Sequence, residues 1–120
     1  MPKKINLNVN MNWFQTSEIS EDGQNKTKTF AGSAQVGSNS ASSINVQVNL
    51  PALSSNDFTF MLAQPVGTST LGTEAFSTRV VRITPGPNGS ADIHIRRVDK
   101  AGGWDMKLQL NLLLISVGTS

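Results

Sequence analysis

The side chains that could carry out chemistry are few and lie far apart in this sequence. The chain has one histidine, His94, and no cysteine. His94 stands between Ile93 and Ile95 on the polar side of an alternating segment, and one imidazole cannot supply the full set of groups that catalysis or a metal site needs. The adjacent acids Glu21 and Asp22 fall at a turn, where neighbouring side chains diverge. We therefore predict a protein that is not an enzyme and binds no metal or other cofactor.

One small group of residues could bind a ligand. Trp104 and Asp105 follow a glycine-rich turn, and an aromatic ring beside a carboxylate can contact the apolar and hydroxyl sides of a sugar. Arg79 could add directed hydrogen bonds. Trp104 also has the same parity as Met106 and Leu108, which favours a place in the core over a sugar site. Carbohydrate is therefore kept as an alternative partner.

Composition limits the other classes of partner. Charged residues make up 15% of the 120 residues, and the net charge is +2. Lys and Arg occur as separate pairs, such as Lys3 with Lys4 and Arg96 with Arg97, and this spacing argues against a nucleic-acid partner. The longest apolar run, residues 112–115, is too short to cross a membrane, and the N-terminus lacks the pattern of a signal peptide. We expect a protein made in the cytoplasm that has no membrane partner.

The elements that must position these residues are β-strands. Over residues 4–13, every odd position from 5 is apolar and every even position is Lys or Asn. A period of two places the apolar side chains on one face. Asn is a poor strand former, so we predict that pairing and burial hold the strand and that the amide face meets water or a polar partner. Residues 44–50 repeat the pattern and are candidates for a neighbouring strand.

The rest of the chain continues the same pattern of short strands and turns. Phe58, Phe60 and Leu62 mark a third half-buried strand, and residues 75–117 read as a meander. Residues 32–43 and 65–73 are rich in small and polar side chains and predict loops. The whole pattern predicts an all-β fold over residues 1–120, a single antiparallel β-sandwich or jelly-roll domain of six to eight strands.

The last predicted strand, residues 104–117, is apolar on both faces in its second half. One face carries leucines throughout, whereas the other changes from polar residues to Leu113, Ile115 and Val117. A strand that is apolar on both sides lies between two layers or against another subunit. We therefore predict self-association, as a trimer or dimer, through these three residues.

Residues 44–118 resemble the H-type lectin domain in outline. The shared features are a strand that ends near a proline, a loop, an Arg-bearing strand, a Trp-Asp pair and an apolar strand that closes with Gly118. The resemblance implies a trimeric six-stranded sandwich that recognises N-acetyl sugars through Arg79, Trp104 and Asp105. A lectin-like sugar-binding or receptor-recognition module is accordingly the alternative function.

As a whole, the chain resembles the capsid-decorating, or cement, proteins of tailed phages. It is short, lacks cysteine, and is rich in Asn, Ser, Thr and Gly. The resemblance implies a virion structural protein that bridges neighbouring capsid subunits, and this role is our leading prediction. Residues 1–13 would be an exchanged or attachment strand acting by β-augmentation, with residues 32–43 as a second arm. The predicted attachment residues are Lys4, Asn6, Asn8, Asn10, Asn12, Leu113, Ile115 and Val117.

Overall fold

Apolar residues at every second position form strands that pack face to face as two sheets. The computed structural model of the chain describes residues 5–21, 25–37, 43–67, 76–99 and 108–119. In these ranges every regular element is a strand, which confirms the all-β sandwich, and no helix is long and apolar enough to span a membrane. The strands are β1 (Ile5–Val9), β2 (Asn12–Glu21), β3 (Asn25–Val36), β4 (Ser43–Asn49), β5 (Phe58–Gly67), β6 (Phe76–Thr84), β7 (Ser90–Arg97) and β8 (Leu108–Thr119).

Each sheet contains four strands. The first sheet has the order β1-β4-β7-β6, and the second has the order β2-β3-β8-β5. The paired strands are antiparallel except for β1 and β4, which run parallel as neighbours in agreement with their shared pattern. β6 and β7 form a hairpin, but β8 lies in the other sheet between β3 and β5. The predicted meander is therefore wrong for its last strand, whose leucine face completes the core from the opposite side.

The core lies between the two sheets and is built mainly by three strands. Side chains of β4 and β7 meet those of β8, and all are at most 3% exposed. Each Val, Ile or Leu side chain among them contributes about 1.5–3 kcal/mol by leaving water. These core residues are Ile44, Val46, Val48, Ala91, Ile93, Ile95, Leu108, Leu110, Leu112 and Leu114.

The opening segment is two strands and not one. β1 ends at Val9, the chain crosses between the sheets at Asn10 and Met11, and β2 begins on the other side. Leu7 and Val9 pack on the core from the first sheet, while Met11 and Trp13 pack on it from the second. Because both halves face the same core, the alternation continues through the crossing without a break.

Asn49, the last residue of β4, holds this crossing in place. Its side-chain Oδ1 accepts a hydrogen bond from the Met11 backbone N–H at 2.7 Å. Its backbone oxygen accepts a second from Trp13 Nε1 at 2.6 Å. Two hydrogen bonds accepted by one residue thus fix the place where the chain changes sheets.

The loop predicted for residues 32–43 is wrong for its first part, because β3 continues through Val36, paired with β8 along its whole length and with β2 as far as Ser33. Its small side chains make room for neighbours: a Cβ at Gly32 would lie 2.7 Å from Trp13 Cε3 and 2.8 Å from Met11 Cγ. Ala34 and Val36 are buried in the core. Residues 38–42 lie outside the described ranges, so the rest of this predicted arm stays a prediction.

The loop predicted for residues 65–73 is likewise wrong for its first three residues. β5 continues through Pro65 to Gly67, pairing with β8. Pro65 is tolerated because β5 is an edge strand, where one side of the backbone needs no partner. Residues 68–73 lie outside the described ranges.

Candidate functional site

The two outer faces of the sandwich differ in chemistry. We call the outer face of β2-β3-β8-β5 the apolar face and that of β1-β4-β7-β6 the polar face. In the described ranges, seven of the nine large hydrophobic side chains that are exposed belong to the apolar face. This concentration makes the apolar face the first candidate for a binding surface.

Three successive rows of cross-strand neighbours form the apolar face. Each row contains one residue from each of the four strands, and none of the 12 residues is charged. Nine are apolar and the other three are Thr or Ser. From β5 to β2, the rows are Phe58-Val117-Thr27-Ile19, Phe60-Ile115-Thr29-Ser17 and Leu62-Leu113-Ala31-Phe14.

The large side chains of the apolar face are open to solvent. Phe14 is 69% exposed, Phe58 70%, and Leu62 55%. Taking on the order of 200 Å² for a fully open side chain of this size, the exposed fractions of the seven leave roughly 740 Å² of apolar surface in water. The largest such patch on a typical monomer is about 300–600 Å². The exposed apolar area of this face is therefore larger than the largest apolar patch on a typical monomer.

The apolar face has a relief and a border. The β3 residues of the apolar face, Thr27, Thr29 and Ala31, are smaller than the β5 residues of the same rows, Phe58, Phe60 and Leu62. The next row is polar and closes the patch, and Gln109 Nε2 donates to Ser33 Oγ at 2.8 Å beside it. That border row is Gln64, Asn111, Ser33 and Asn12.

The third half-buried strand predicted from the sequence is β5, but its parity is the opposite of the predicted one. Phe58, Phe60 and Leu62 point outward, whereas Met61 is buried. The register decides this, because Met61 pairs with Leu114, whose side chain faces the core. The sequence therefore missed three of the largest members of the apolar face.

The polar face carries a shallow groove of about 570 Å³. Its polar walls combine amides of β1 and β4 with charged or titratable side chains of β6 and β7. His94 Nδ1 lies 2.8 Å from Asn45 Oδ1, a hydrogen bond across β4 and β7. The polar residues of the groove are Asn8, Asn45, Gln47, Arg79, Asp92 and His94. Such a surface offers hydrogen bonds to a polar ligand.

The structure places the predicted site residues on different faces of the sandwich. Leu113, Ile115 and Val117 lie together in the middle of the apolar face on β8. Arg79 lies in the groove of the polar face. Trp104 and Asp105 lie outside the described ranges, so the predicted sugar site as a whole stays a prediction.

The predicted amide attachment surface is also divided. Asn8 is exposed on the polar face, Asn10 is exposed at the crossing, and Asn12 is exposed at the border of the apolar face. The crossing places Asn8 and Asn12 on opposite sides of the sandwich, so these amides do not form one surface. Lys4 and the side chain of Asn6 lie outside the described part of the chain.

One buried polar pair lies at the end of β8. Ser116 is 1% exposed, and its hydroxyl donates to Asp57 Oδ2 at 3.0 Å. A Cβ at Gly118 would overlap the Asp57 carboxylate, so the glycine lets the turn that carries Asp57 close against β8. This pair holds the turn in place and needs no ligand to explain it. Within the described ranges, no three His, Asp or Glu side chains cluster as a metal site would require.

Comparisons with protein-family models, with curated proteins and with solved structures found no match to this chain. The functional argument therefore rests on the two faces themselves.

Proposed function

We propose that the protein is a non-enzymatic structural subunit that joins protein subunits, and that the assembly is a virion whose capsid it decorates or cements. The observation that carries the joining role is the apolar face. Twelve uncharged positions on four strands leave an apolar surface that is costly to keep in water. A protein neighbour that covers this surface removes the cost.

The form of the apolar face favours a protein partner over a small ligand. Small molecules bind in concave sites that enclose most of their surface, whereas this face is a broad surface of a four-stranded sheet. Its apolar centre and polar border, with Asn12 and Asn111 in the border, match the organisation of protein interfaces.

The virion assignment is supported by the compositional resemblance to cement proteins. The position of β1 is compatible with it, because β1 is an edge strand that pairs only with β4 among the described strands. An open edge can accept a strand from a neighbouring subunit. We propose this edge as the second attachment point, which would let one chain contact two neighbours.

The test is whether the protein is carried by virus particles and needs the apolar face for it. Particles from the native source would be separated on a density gradient, and the bound chain quantified by mass spectrometry. Purified Phe60→Lys and Thr84→Lys would then be added back to stripped particles. Thr84 is the matched control, because it is an exposed residue on the edge strand β6 of the polar face.

We expect wild type and Thr84→Lys to migrate with the particles and Phe60→Lys to remain largely in the light fractions. Absence of the wild-type chain from every particle fraction would contradict the virion assignment. Equal binding of Phe60→Lys and wild type would contradict the role of the apolar face.

A second candidate function is carbohydrate recognition in the groove of the polar face. The observation that favours it is the convergence of amides, such as Asn8 and Gln47, with Arg79 in one groove. Glycan-array binding by wild type, Arg79→Ala and Arg96→Ala tests it, since Arg96 is exposed on the same sheet but does not line the groove. Binding lost only in Arg79→Ala supports this candidate, and an array without any signal overturns it.

A further inference from the structure

We propose that the partner on the apolar face is a second copy of this chain, packed sheet on sheet about a twofold axis that runs parallel to the strands between β3 and β8. The inference rests on the proposed joining role and names the partner. It follows from the charge, the strand order and the area of the apolar face, taken in turn.

The charge pattern makes the apolar face suited to meet itself. In a twofold dimer the same patch lies on both sides of the interface, so any charge on it would face a like charge. The 12 residues of the apolar face carry none. The polar face contrasts with this, because Arg79, Arg82 and Arg96 are exposed there and would repel their copies.

The strand order of the apolar face sets the position of the axis. β3 and β8 are the two central strands of the sheet order β2-β3-β8-β5 and lie about 4.8 Å apart. A twofold axis that runs parallel to the strands midway between them covers the whole sheet, because it places β8 of one copy over β3 of the other and β5 over β2. Ile115 would then sit above Thr29, and Phe60 above Ser17.

The area is sufficient for a stable dimer. The roughly 740 Å² of exposed apolar side chains, together with the polar border row, approaches the about 800 Å² per partner of a standard interface. Facing sheets pack about 10 Å apart, and the strands of both copies would lie within about 30° of each other. Two sandwiches joined in this way form a four-layer stack.

The first arm of the test is the mass in solution. Sedimentation velocity of wild type at tens of micromolar is expected to give a dimer, twice the 12.8 kDa of one chain. Phe60→Lys should raise the dimer Kd about 30-fold or more, the loss typical of an interface hot spot. Thr84→Lys should leave it unchanged. Should Phe60→Lys lose its β-type circular dichroism, Phe58→Lys, which is 70% exposed, takes its place with the same expectation.

The second arm locates the axis with single cysteines, which are clean probes because the chain has none. A short bismaleimide linker is needed, since facing strands about 10 Å apart exceed the about 4.4–6.8 Å between Cα atoms that a disulfide spans. Asn111 lies on β8 at the border of the interface, where reagent can enter. Asn111→Cys should link to its copy, whereas Gln47→Cys on the polar face should not.

The outcomes separate this inference from the proposed function. A wild-type monomer at tens of micromolar, a trimer, a dimer unaffected by Phe60→Lys, or linking only through Gln47→Cys overturns the twofold dimer. A monomer whose particle binding still depends on Phe60 overturns the second copy alone and leaves the joining role in place. A dimer that behaves as expected but never migrates with particles overturns the virion assignment alone.

Discussion

The polar and apolar faces share a core and a strand architecture, yet they present opposite chemistry to their surroundings. On the polar face, most strand positions are apolar inside and polar or charged outside, as in β4, where Val46 is buried and Gln47 is exposed. Val81 of β6 is an exception, because it is 47% exposed and lines the groove. On the apolar face, β5 and β8 are apolar on both sides. Folding explains the inner side of every strand. The outer side of β5 and β8 needs a second explanation, and the proposed protein partner would supply one.

The largest expected effect separates the inner and outer sides of one strand. Leu114 is 0% exposed in the core, and Leu114→Ala should lower the free energy of unfolding by about 2–5 kcal/mol. Leu113→Ala, one residue away on the apolar face, should lower that of the monomer by less than about 1 kcal/mol and weaken self-association. Urea unfolding at low protein concentration measures both. If the two variants lowered the free energy of unfolding by similar amounts, the distinction between the buried inner side and the exposed outer side of β8 would be wrong.

The next effect tests the crossing that divides the amides between the two faces. Gly32→Ala should lower the free energy of unfolding by about 1–3 kcal/mol, because the added methyl group overlaps Trp13 and Met11. Gly37→Ala is the matched control, since a Cβ there has no neighbour within 4 Å, and a change within about 0.5 kcal/mol is expected. Thermal and urea unfolding give the comparison. A Gly32→Ala protein as stable as Gly37→Ala would show that the ring of Trp13 does not pack on β3.

The smallest effect uses salt to tell the two faces apart. A dimer formed by the apolar face has no charges to screen, so its Kd should change less than about threefold between about 50 and 500 mM NaCl. Sulfate should tighten it by favouring apolar burial. A dimer formed by the polar face would bring arginines together and should tighten strongly as NaCl screens them. A strong NaCl dependence of the sedimentation data would therefore contradict the use of the apolar face.

The sequence was sufficient to predict the sandwich and the inner face of β8. Alternation marks a strand whatever its neighbours are, and the leucines from Leu108 to Leu114 occupy one parity without a break. The sequence also identified the outer residues Leu113, Ile115 and Val117 as an exposed apolar set, although their partner stays a prediction.

The features that the sequence could not supply all depend on tertiary pairing. The crossing at Asn10 and Met11 gives no signal in the sequence, because the apolar residues stay at odd positions before and after it. The small residues around Gly32 looked like a loop because the ring of Trp13, which fills the space they leave, is distant in sequence. The outward parity of Phe60 follows only from the register between β5 and β8.

The most direct test of the account is hydroxyl-radical footprinting of both faces in one experiment. The rates of modification of Phe58 and Phe60, on the apolar face, would be compared with that of His94, on the polar face, as protein concentration rises from nanomolar to tens of micromolar. We expect the two phenylalanines to become protected while His94 keeps a constant rate. Phenylalanines that stay equally reactive at all concentrations would contradict self-association through the apolar face.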